Sequence, residues 1–253
     1  MLTKRIIACL DVRNDGQVVK GIQFKNLKSA GEPIQLAKKY YEQGIDELVF
    51  LDINTNDDKR DYMIDVIQKV AQEIFIPFTV GGGIRTLGDV KKILRAGADK
   101  VSLNRAAITN PTLISQAAGM FGSQAIVVAI DAKKSGSSWN AFIGGGKIDT
   151  GKNAVEWAIE AVARGAGEIL LTSIDSDGTR NGFEIELTRN ISQKVSVPVI
   201  ASGGAGCSGD FFDVFSKGFA DGALAASLFH FDNVKIAELK KYLAKLQIPI
   251  RTK

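Results

Sequence analysis

Short apolar segments alternate with longer segments of mixed polarity from one end of the chain to the other. Each apolar segment has the length of a buried strand, and each mixed segment repeats its apolar positions every three or four residues, as an amphipathic helix does. The predicted strands are residues 6–10, 47–51, 76–80, 100–103, 125–130, 168–172, 197–201 and 222–225. The predicted helices are residues 33–43, 62–73, 87–95, 111–118, 154–164, 211–216 and 234–246. Strands that alternate with helices in this way predict a parallel α/β fold.

The chain also repeats itself after about 120 residues. The segment IIACLD at 6–11 resembles VVAID at 127–131, and VGGGI at 80–84 resembles ASGGA at 201–205. Two similar halves of four strand–helix units fit a closed barrel better than an open sheet. The sequence therefore predicts a single (β/α)8 TIM-barrel domain over residues 1–253, with half-barrels at approximately 1–120 and 121–253.

Length, charge and composition agree with this fold and disfavour several classes of protein. The 253 residues match the roughly 250 that are typical of one such barrel. The net charge of +4 is spread along the chain, so we expect no nucleic-acid partner. Cys9 and Cys207 lack the spacing of a disulfide framework or zinc site, and the single histidine, His230, argues against a His-rich metal site. We expect no metal, no cofactor and no membrane segment, and therefore a cytoplasmic location.

Two aspartates end equivalent predicted strands of the two halves. Asp11 follows the first strand and Asp131 the fifth, so both should lie at the carboxyl-end opening, where TIM-barrel active sites are found. Two carboxylates in one pocket can serve as acid and base if their environments separate their pKa values. Alternatively, each aspartate could cap a loop or pair with Lys20 or Lys133. Their symmetry favours the catalytic interpretation.

Glycine-rich segments follow the third and seventh predicted strands. They read GGG at 81–83 and SGGAG at 202–206, and both precede a helical segment. Glycine lets the backbone approach a phosphate closely, and helix N-termini bind anions, although tight turns use glycine as well. Asn104 and Arg105 follow the next strand in the first half, and Ala226 and Ser227 follow it in the second. We therefore predict two phosphate sites on opposite sides of the opening, spanned by one substrate with a phosphate at each end.

Charged residues are predicted to ring the other end of the barrel. Because side chains alternate along a strand, an inward Asp11 places Arg5 inside as well. The same parity places Glu47, Lys100 and Glu168 inside. Such a neutral ring could be a structural plug or a gate for a small neutral molecule, and parity alone leaves both possibilities open.

Three long connections complete the candidate site. Residues 13–33, which carry Lys20, and residues 133–152 are expected to be mobile, and the first could close over a substrate. Residues 175–180 include Asp177 and Gly178 and follow the sixth strand, where a substrate-contacting loop is expected.

The chain resembles the cyclase subunits of imidazole glycerol phosphate synthase over nearly its whole length. The matching motifs occur in the same order and are specific to that family. They are RIIACLDV at Arg5–Val12, VVKG at 18–21, DELVFLDI at 46–53, PFTVGGGI at 77–84, GADKV at 97–101, GSQAIVVAIDAK at 122–133, GAGEILLTSI at 165–174, DGT at 177–179, IASGGAG at 200–206 and AASLFH at 225–230.

The resemblance implies a lyase reaction of histidine biosynthesis. Ammonia from a partner glutaminase would attack N′-[(5-phosphoribulosyl)formimino]-AICAR-ribonucleotide, and cyclisation and cleavage would give imidazole glycerol phosphate and AICAR. The residues that match family positions fall into four groups. They are the acid–base pair Asp11 and Asp131; the substrate and phosphate contacts Lys20, Gly83, Asn104, Thr172, Asp177, Ser202, Gly204 and Ser227; the ammonia gate Arg5, Glu47, Lys100 and Glu168; and Asp99, on the face where the glutaminase would dock to form a heterodimer.

Three departures from the family pattern leave room for other functions, and one of them is the segment 219–221, which looks one residue longer than usual. Residues 13–16 include an apparent insertion at Asn14, and Arg105 stands where a small Ser or Thr is usual and could add charge to the phosphate site. One alternative is a paralogous ammonia-dependent synthase that acts on another substrate. A second is a non-catalytic barrel that binds phosphates and scaffolds a glutaminase, which the presence of both Asp11 and Asp131 disfavours.

Overall fold

A computed structural model describes residues 2–13, 15–22, 25–53, 60–230 and 233–252, and the side chains of residues 20–22, 25–28 and 60–62 lie outside this description. The strands are β1 Arg5–Val12, β2 Val18–Ile22, β3 Lys25–Gly31, β4 Glu47–Asp52, β5 Phe78–Gly81, β6 Lys100–Leu103, β7 Ile126–Ser135, β8 Ser138–Ile143, β9 Ile148–Asn153, β10 Glu168–Ser173, β11 Val199–Ser202 and β12 Gly222–Ala225. The helices are α1 Pro33–Glu42, α2 Arg60–Glu73, α3 Leu87–Ala96, α4 Arg105–Thr109, α5 Thr112–Phe121, α6 Ala154–Ala163, α7 Ile185–Ser192, α8 Ser208–Ser216, α9 Ser227–His230 and α10 Ile236–Lys245.

Eight of the strands close into a parallel barrel. They follow the order β1-β4-β5-β6-β7-β10-β11-β12, and β12 pairs with β1 to complete the ring. Helices lie between consecutive strands, so the predicted (β/α)8 TIM-barrel fold is confirmed. In this order β1 and β7 are four strands apart in both directions, and they therefore face each other across the barrel.

Alternation along the strands separates two apolar layers. Outward side chains such as Ile6 and Leu10 pack under the helices in one large core, while inward side chains form a smaller cluster along the barrel axis. The buried members of this inner cluster are Ile7, Cys9, Val49, Val127, Leu170, Ile200, Leu224 and Ala226. Ile7 and Cys9 alternate with the outward residues, so the parity that sequence analysis assigned to the first strand is the one observed.

Both segments that are expected to be mobile contain antiparallel strands, and their mobility stays a prediction. Strands β2 and β3 pair within residues 13–33, and β7 continues to Ser135 and pairs with β8, which in turn pairs with β9. In β8, Trp139, Ala141 and Ile143 are buried and alternate with less buried residues. This period of two was present in the sequence, but the surrounding Gly and Ser obscured it.

The same capping geometry occurs in both halves of the chain. The Asp89 carboxylate accepts hydrogen bonds from the backbone N–H groups of Arg85 and Thr86 before α3. The Asp210 carboxylate accepts equivalent bonds from Gly206 and Cys207 before α8. Each aspartate thereby satisfies donors at a helix N-terminus and fixes the glycine-rich turn that precedes it. None of the helices in the described ranges is long and apolar enough to cross a membrane.

Candidate functional site

The four charged residues predicted at the amino-terminal end of the barrel, which we call the floor, form a closed ring of ion pairs. Arg5 donates to Glu47 over 2.7 Å and also bonds to Glu168. Lys100 donates to Glu47 over 2.8 Å and to Glu168 over 2.7 Å. Each glutamate is therefore held between two cations, and the ring closes the amino-terminal end of the inner cluster.

Burial and additional hydrogen bonding fix this ring. Although burial opposes its charge, Glu168 and Glu47 together raise the pKa of Arg5. The buried Thr79 hydroxyl donates to Glu47 over 3.0 Å. Thr79 is not among the predicted site residues, although its hydroxyl, at an inward position of an otherwise apolar strand, was a signal that could have identified it. The ring is a neutral, fully bonded partition, as a buried charge cluster requires.

At the other end of the barrel, Asp11 and Asp131 lie on opposite strands, and β7 continues past Asp131 to Ser135, which corrects the prediction that Asp131 ends its strand. Asp11 lies in β1 and Asp131 in β7. The Asp11 side chain is only 4% exposed, and its Oδ1 atom lies 3.2 Å from the Cys9 thiol. Neither aspartate is at the floor, so the structure puts the predicted acid–base pair and the charged ring at opposite ends of the barrel.

The surroundings of Asp131 favour a neutral carboxyl group. Burial and, to a smaller extent, the nearby carboxylate of Asp177 together raise the pKa of Asp131 to about 7, although the hydrogen bond from Asn104 lowers it. The Asn104 amide donates to Asp131 Oδ2 over 3.2 Å and to the carbonyl of Ala129 over 3.3 Å. A carboxyl group that titrates near neutral pH suits acid–base catalysis.

A cleft in the second half contains the predicted second phosphate site. The positive φ values of Gly203 (+91°) and Gly204 (+104°) belong to the left-handed region, and a Cβ at Gly204 would lie 2.0 Å from the carbonyl oxygen of Gly182. Only glycine fits this backbone. The cleft is lined by Asp177, Gly178, Ser202, Gly203, Gly204, Ala205, Leu224, Ala225, Ala226 and Ser227. Six of the residues that line this small cleft are predicted substrate or phosphate contacts, namely Asp177, Gly178, Ser202, Gly204, Ala226 and Ser227.

The predicted first phosphate site has a similar backbone but more exposed surroundings. Gly82 and Gly83 have φ values of +92° and +65°, and a Cβ at Gly82 would lie 2.0 Å from the carbonyl oxygen of Asp52. Asn104 and Arg105 follow β6, beside this turn. The Arg105 guanidinium lies next to Gly144 at the β8–β9 turn. A Cβ added to Gly144 would be 3.3 Å from the guanidinium nitrogen.

The remaining predicted contacts differ in how far the structure describes them. Thr172 is paired in register with both Asp131 and Ser202, so it lies between one of the two predicted acid–base residues and the second cleft. The backbone of Lys20 lies in β2, but its side chain is outside the described part of the chain. Asn14, the apparent insertion, is also outside the described residues.

The amino-terminal face of the barrel exposes several large apolar side chains. They lie near the starts of strands: Leu2 before β1, Phe75 and Phe219 in connections that lead from a helix to the next strand, and Met120 in the last turn of α5. The exposed fraction is 87% at Leu2 and 81% at Phe75, and Met120 and Phe219 are also exposed. Asp99 lies on the same face, and its carboxylate accepts a hydrogen bond from the Phe78 N–H over 2.9 Å. Exposed apolar groups gathered on one face are typical of a protein-interaction surface.

Fold and geometry together define a TIM-barrel protein with paired glycine-rich turns and two opposed aspartates at the carboxyl ends of its strands. A family model for histidine biosynthesis proteins matches residues 5–235, and the chain belongs to this family.

Curated relatives match almost the full chain. It is 58% identical over 253 residues to imidazole glycerol phosphate synthase subunit HisF of Clostridium botulinum (strain Alaska E43 / Type E3), covering 99% of this chain and 100% of the relative. It is 57% identical, with the same coverage, to the subunit of that name from Geobacillus thermodenitrificans (strain NG80-2). The HisF subunit of Lachnoclostridium phytofermentans (strain ATCC 700394 / DSM 18823 / ISDg) is 56% identical and is covered over 98% of its length.

Proposed function

We propose that the protein is the cyclase subunit of imidazole glycerol phosphate synthase and acts as a lyase in histidine biosynthesis. Its substrates are ammonia and N′-[(5-phosphoribulosyl)formimino]-AICAR-ribonucleotide, and its products are imidazole glycerol phosphate and AICAR. The observation that carries this proposal is the position of Asp11 and Asp131 on opposite strands between two glycine-rich turns. The full-length similarity to HisF subunits supports the same reaction.

The two aspartates divide the acid–base work because their surroundings differ. Asp131, with a pKa of about 7, keeps a proton near neutral pH and can donate it to the leaving group as the substrate is cleaved. Asp11 then serves as the base that removes a proton during ammonia addition and ring closure. The hydrogen bond from Asn104 orients the Asp131 carboxyl group, since it binds one of its oxygen atoms.

The two turns bind the two phosphates of the substrate. The backbone N–H groups around Gly83, with Asn104 and Arg105, bind one phosphate, and those around Gly204 and Ser227 bind the other. Glycine at these positions allows the close approach that the backbone geometry requires. The other contacts to the substrate come from Lys20, Thr172, Asp177, Gly178, Ser202 and Ala226.

A glutaminase docks on the amino-terminal face and supplies ammonia through the floor. The exposed apolar residues Leu2, Phe75 and Phe219, together with Asp99, lie on that face and support this assignment. The ring of Arg5, Glu47, Lys100 and Glu168 stands between that face and the inner cluster, where it can gate ammonia. We further propose that the chain acts as a single domain in the cytoplasm and needs no cofactor.

An assay with purified protein tests this function. The protein is mixed with the bisphosphate substrate and an ammonium salt, and release of AICAR is followed. We expect turnover in the wild type and a loss of at least about 100-fold in Asp11→Asn, because general acid–base catalysis contributes factors of this size. Substrate binding should persist in the variant, which preserves the shape of the side chain. A wild-type protein that binds the substrate and releases no AICAR would favour a paralogous synthase instead.

A further inference from the structure

Cys9 is a buried nucleophilic residue to which the proposed reaction assigns no role. It lies in β1 two residues before Asp11, and alternation along the strand points both side chains into the barrel. Cys9 is only 2% exposed, and its thiol donates a hydrogen bond to Asp11 Oδ1 over 3.2 Å. The thiol is therefore in direct contact with one of the two aspartates at the opening.

A cysteine suits this position for two physical reasons. Its neighbours in the inner cluster, which include Ile7, Val49 and Val127, are apolar, and a free cysteine packs among them as a small hydrophobic residue. Its S–H group can still donate to a carboxylate. An alanine here would remove the donor and leave a void, whereas a serine would keep the donor at some cost in apolar packing.

A hydrogen bond to one carboxylate oxygen constrains the orientation of the other. Rotation about the Cβ–Cγ bond of Asp11 moves both carboxylate oxygens together. The hydrogen bond from the Cys9 thiol to Oδ1 therefore limits this rotation. General acid–base catalysis depends on a heavy-atom distance of roughly 3 Å between the catalytic group and its proton partner, and small misplacements are therefore costly.

We propose that Cys9 is a positioning residue that holds the Asp11 carboxylate in its working orientation. This role rests on the proposed function of Asp11. Because the phosphate contacts lie elsewhere, the loss of Cys9 should lower the turnover number and leave the binding of the bisphosphate substrate nearly unchanged.

The contact itself can be tested without any measurement of activity. The chain has two cysteines, so Cys207→Ser leaves Cys9 as its one thiol. The infrared S–H stretching band of this variant should lie at the lower frequency of a hydrogen-bonded thiol and should move to higher frequency when Asp11→Ala is added. An S–H band of a free thiol in Cys207→Ser, or a band that Asp11→Ala does not move, would overturn the proposal.

Kinetics then test the effect on catalysis with saturating ammonium salt. We expect Cys9→Ala to lower kcat on the order of tenfold, since a hydrogen bond to a charged group is lost, while KM changes by less than about twofold. Cys9→Ser should recover most of kcat because it keeps a donor. Wild-type kcat in Cys9→Ala, or no recovery in Cys9→Ser, would reject the positioning role.

Val49→Ala is the matched control for cavity formation. Val49 belongs to the same cluster and is the register partner of Cys9 on β4, so its truncation also leaves a void. An equal loss of kcat in Val49→Ala would mean that packing accounts for the effect, and the proposal would fail. If Cys9→Ala does not fold, Cys9→Val replaces it, with the same low kcat expected. Full activity of Cys9→Ala beside an inactive Asp11→Asn would reject the role of Cys9 alone, whereas an active Asp11→Asn would reject the proposed function.

Discussion

The floor and the opening of the barrel both contain buried carboxyl groups, but the groups that surround these carboxyl groups differ. At the floor, Glu47 and Glu168 are each bonded to Arg5 and Lys100, so their charges are balanced within the ring. At the opening, Asp131 has another carboxylate, Asp177, and an amide as its neighbours, and its pKa rises to about 7. At the floor, ion pairs balance the charges of the two glutamates. At the opening, the carboxyl group of Asp131 remains neutral when it retains its proton.

We expect this difference to separate a partition at the floor from a reactive centre at the opening. A carboxylate between two cations stays ionised and fixed, which is useful for a gate or a plug. A carboxyl group whose ionisation is opposed by burial and by a like charge exchanges a proton near neutral pH, which is useful for catalysis. The neighbours of a carboxylate, rather than its burial alone, therefore decide which task it can perform.

The largest expected effect is on catalysis at the opening. Asp131→Asn should lower turnover with ammonium salt by about 10²–10⁴-fold, because the amide cannot transfer the proton. AICAR release under saturating substrate measures this change. A variant that retains more than about a tenth of the activity would show that the proton comes from another group.

The same substitution should stabilise the folded protein. Since the pKa of Asp131 is raised on folding, the folded state binds more protons than the unfolded state between about pH 4 and 7, and stability falls as pH rises through this range. Asp131→Asn removes this penalty and should increase the free energy of unfolding by about 1–3 kcal/mol at pH 8. The gain should shrink as pH falls towards 4. Urea titrations at several pH values would contradict the raised pKa if the gain did not depend on pH.

A substitution at the floor should separate ammonia delivery from chemistry. Lys100→Ala opens the ring, so we expect glutamine-dependent turnover in the complex with the glutaminase to fall on the order of fivefold more than turnover with free ammonium. Lys38→Ala, which removes an exposed ion pair with Glu73, is the control and should change neither rate. Equal losses with both nitrogen sources in Lys100→Ala would reject a gating role.

The smallest expected effect concerns the predicted first phosphate site, which is exposed. Arg105→Thr should raise KM for the bisphosphate substrate by about two- to fivefold with kcat unchanged, because an exposed charge contributes little to binding. The difference from wild type should diminish at high salt. A KM that is the same in both proteins at low salt would show that the guanidinium does not contact the phosphate.

Much of this architecture could be predicted from individual residues. The strand from Lys100 to Leu103 was predicted with its observed bounds, and the parity of β1 placed Arg5 at the floor and Asp11 at the opening. Both follow from side-chain alternation, which is a local property of the chain. The short helices α4, α7 and α9 were not predicted, because segments of four to eight residues carry too little periodicity.

By itself, the sequence determined the barrel, its repeat and the inward positions of the charged residues. Hydrophobic periodicity and the length of each strand–helix unit are properties of short segments of the chain, so they can be recognised without the fold. Only the tertiary structure decided which of these side chains meet. The bonds that join Arg5 to Glu168 and Lys100 to Glu47, the pairing of β7 with β8 and the raised pKa of Asp131 all depend on groups far apart in the chain. Closure of the barrel brings those groups together, and the energies of burial and charge pairing depend on distances that no local pattern encodes.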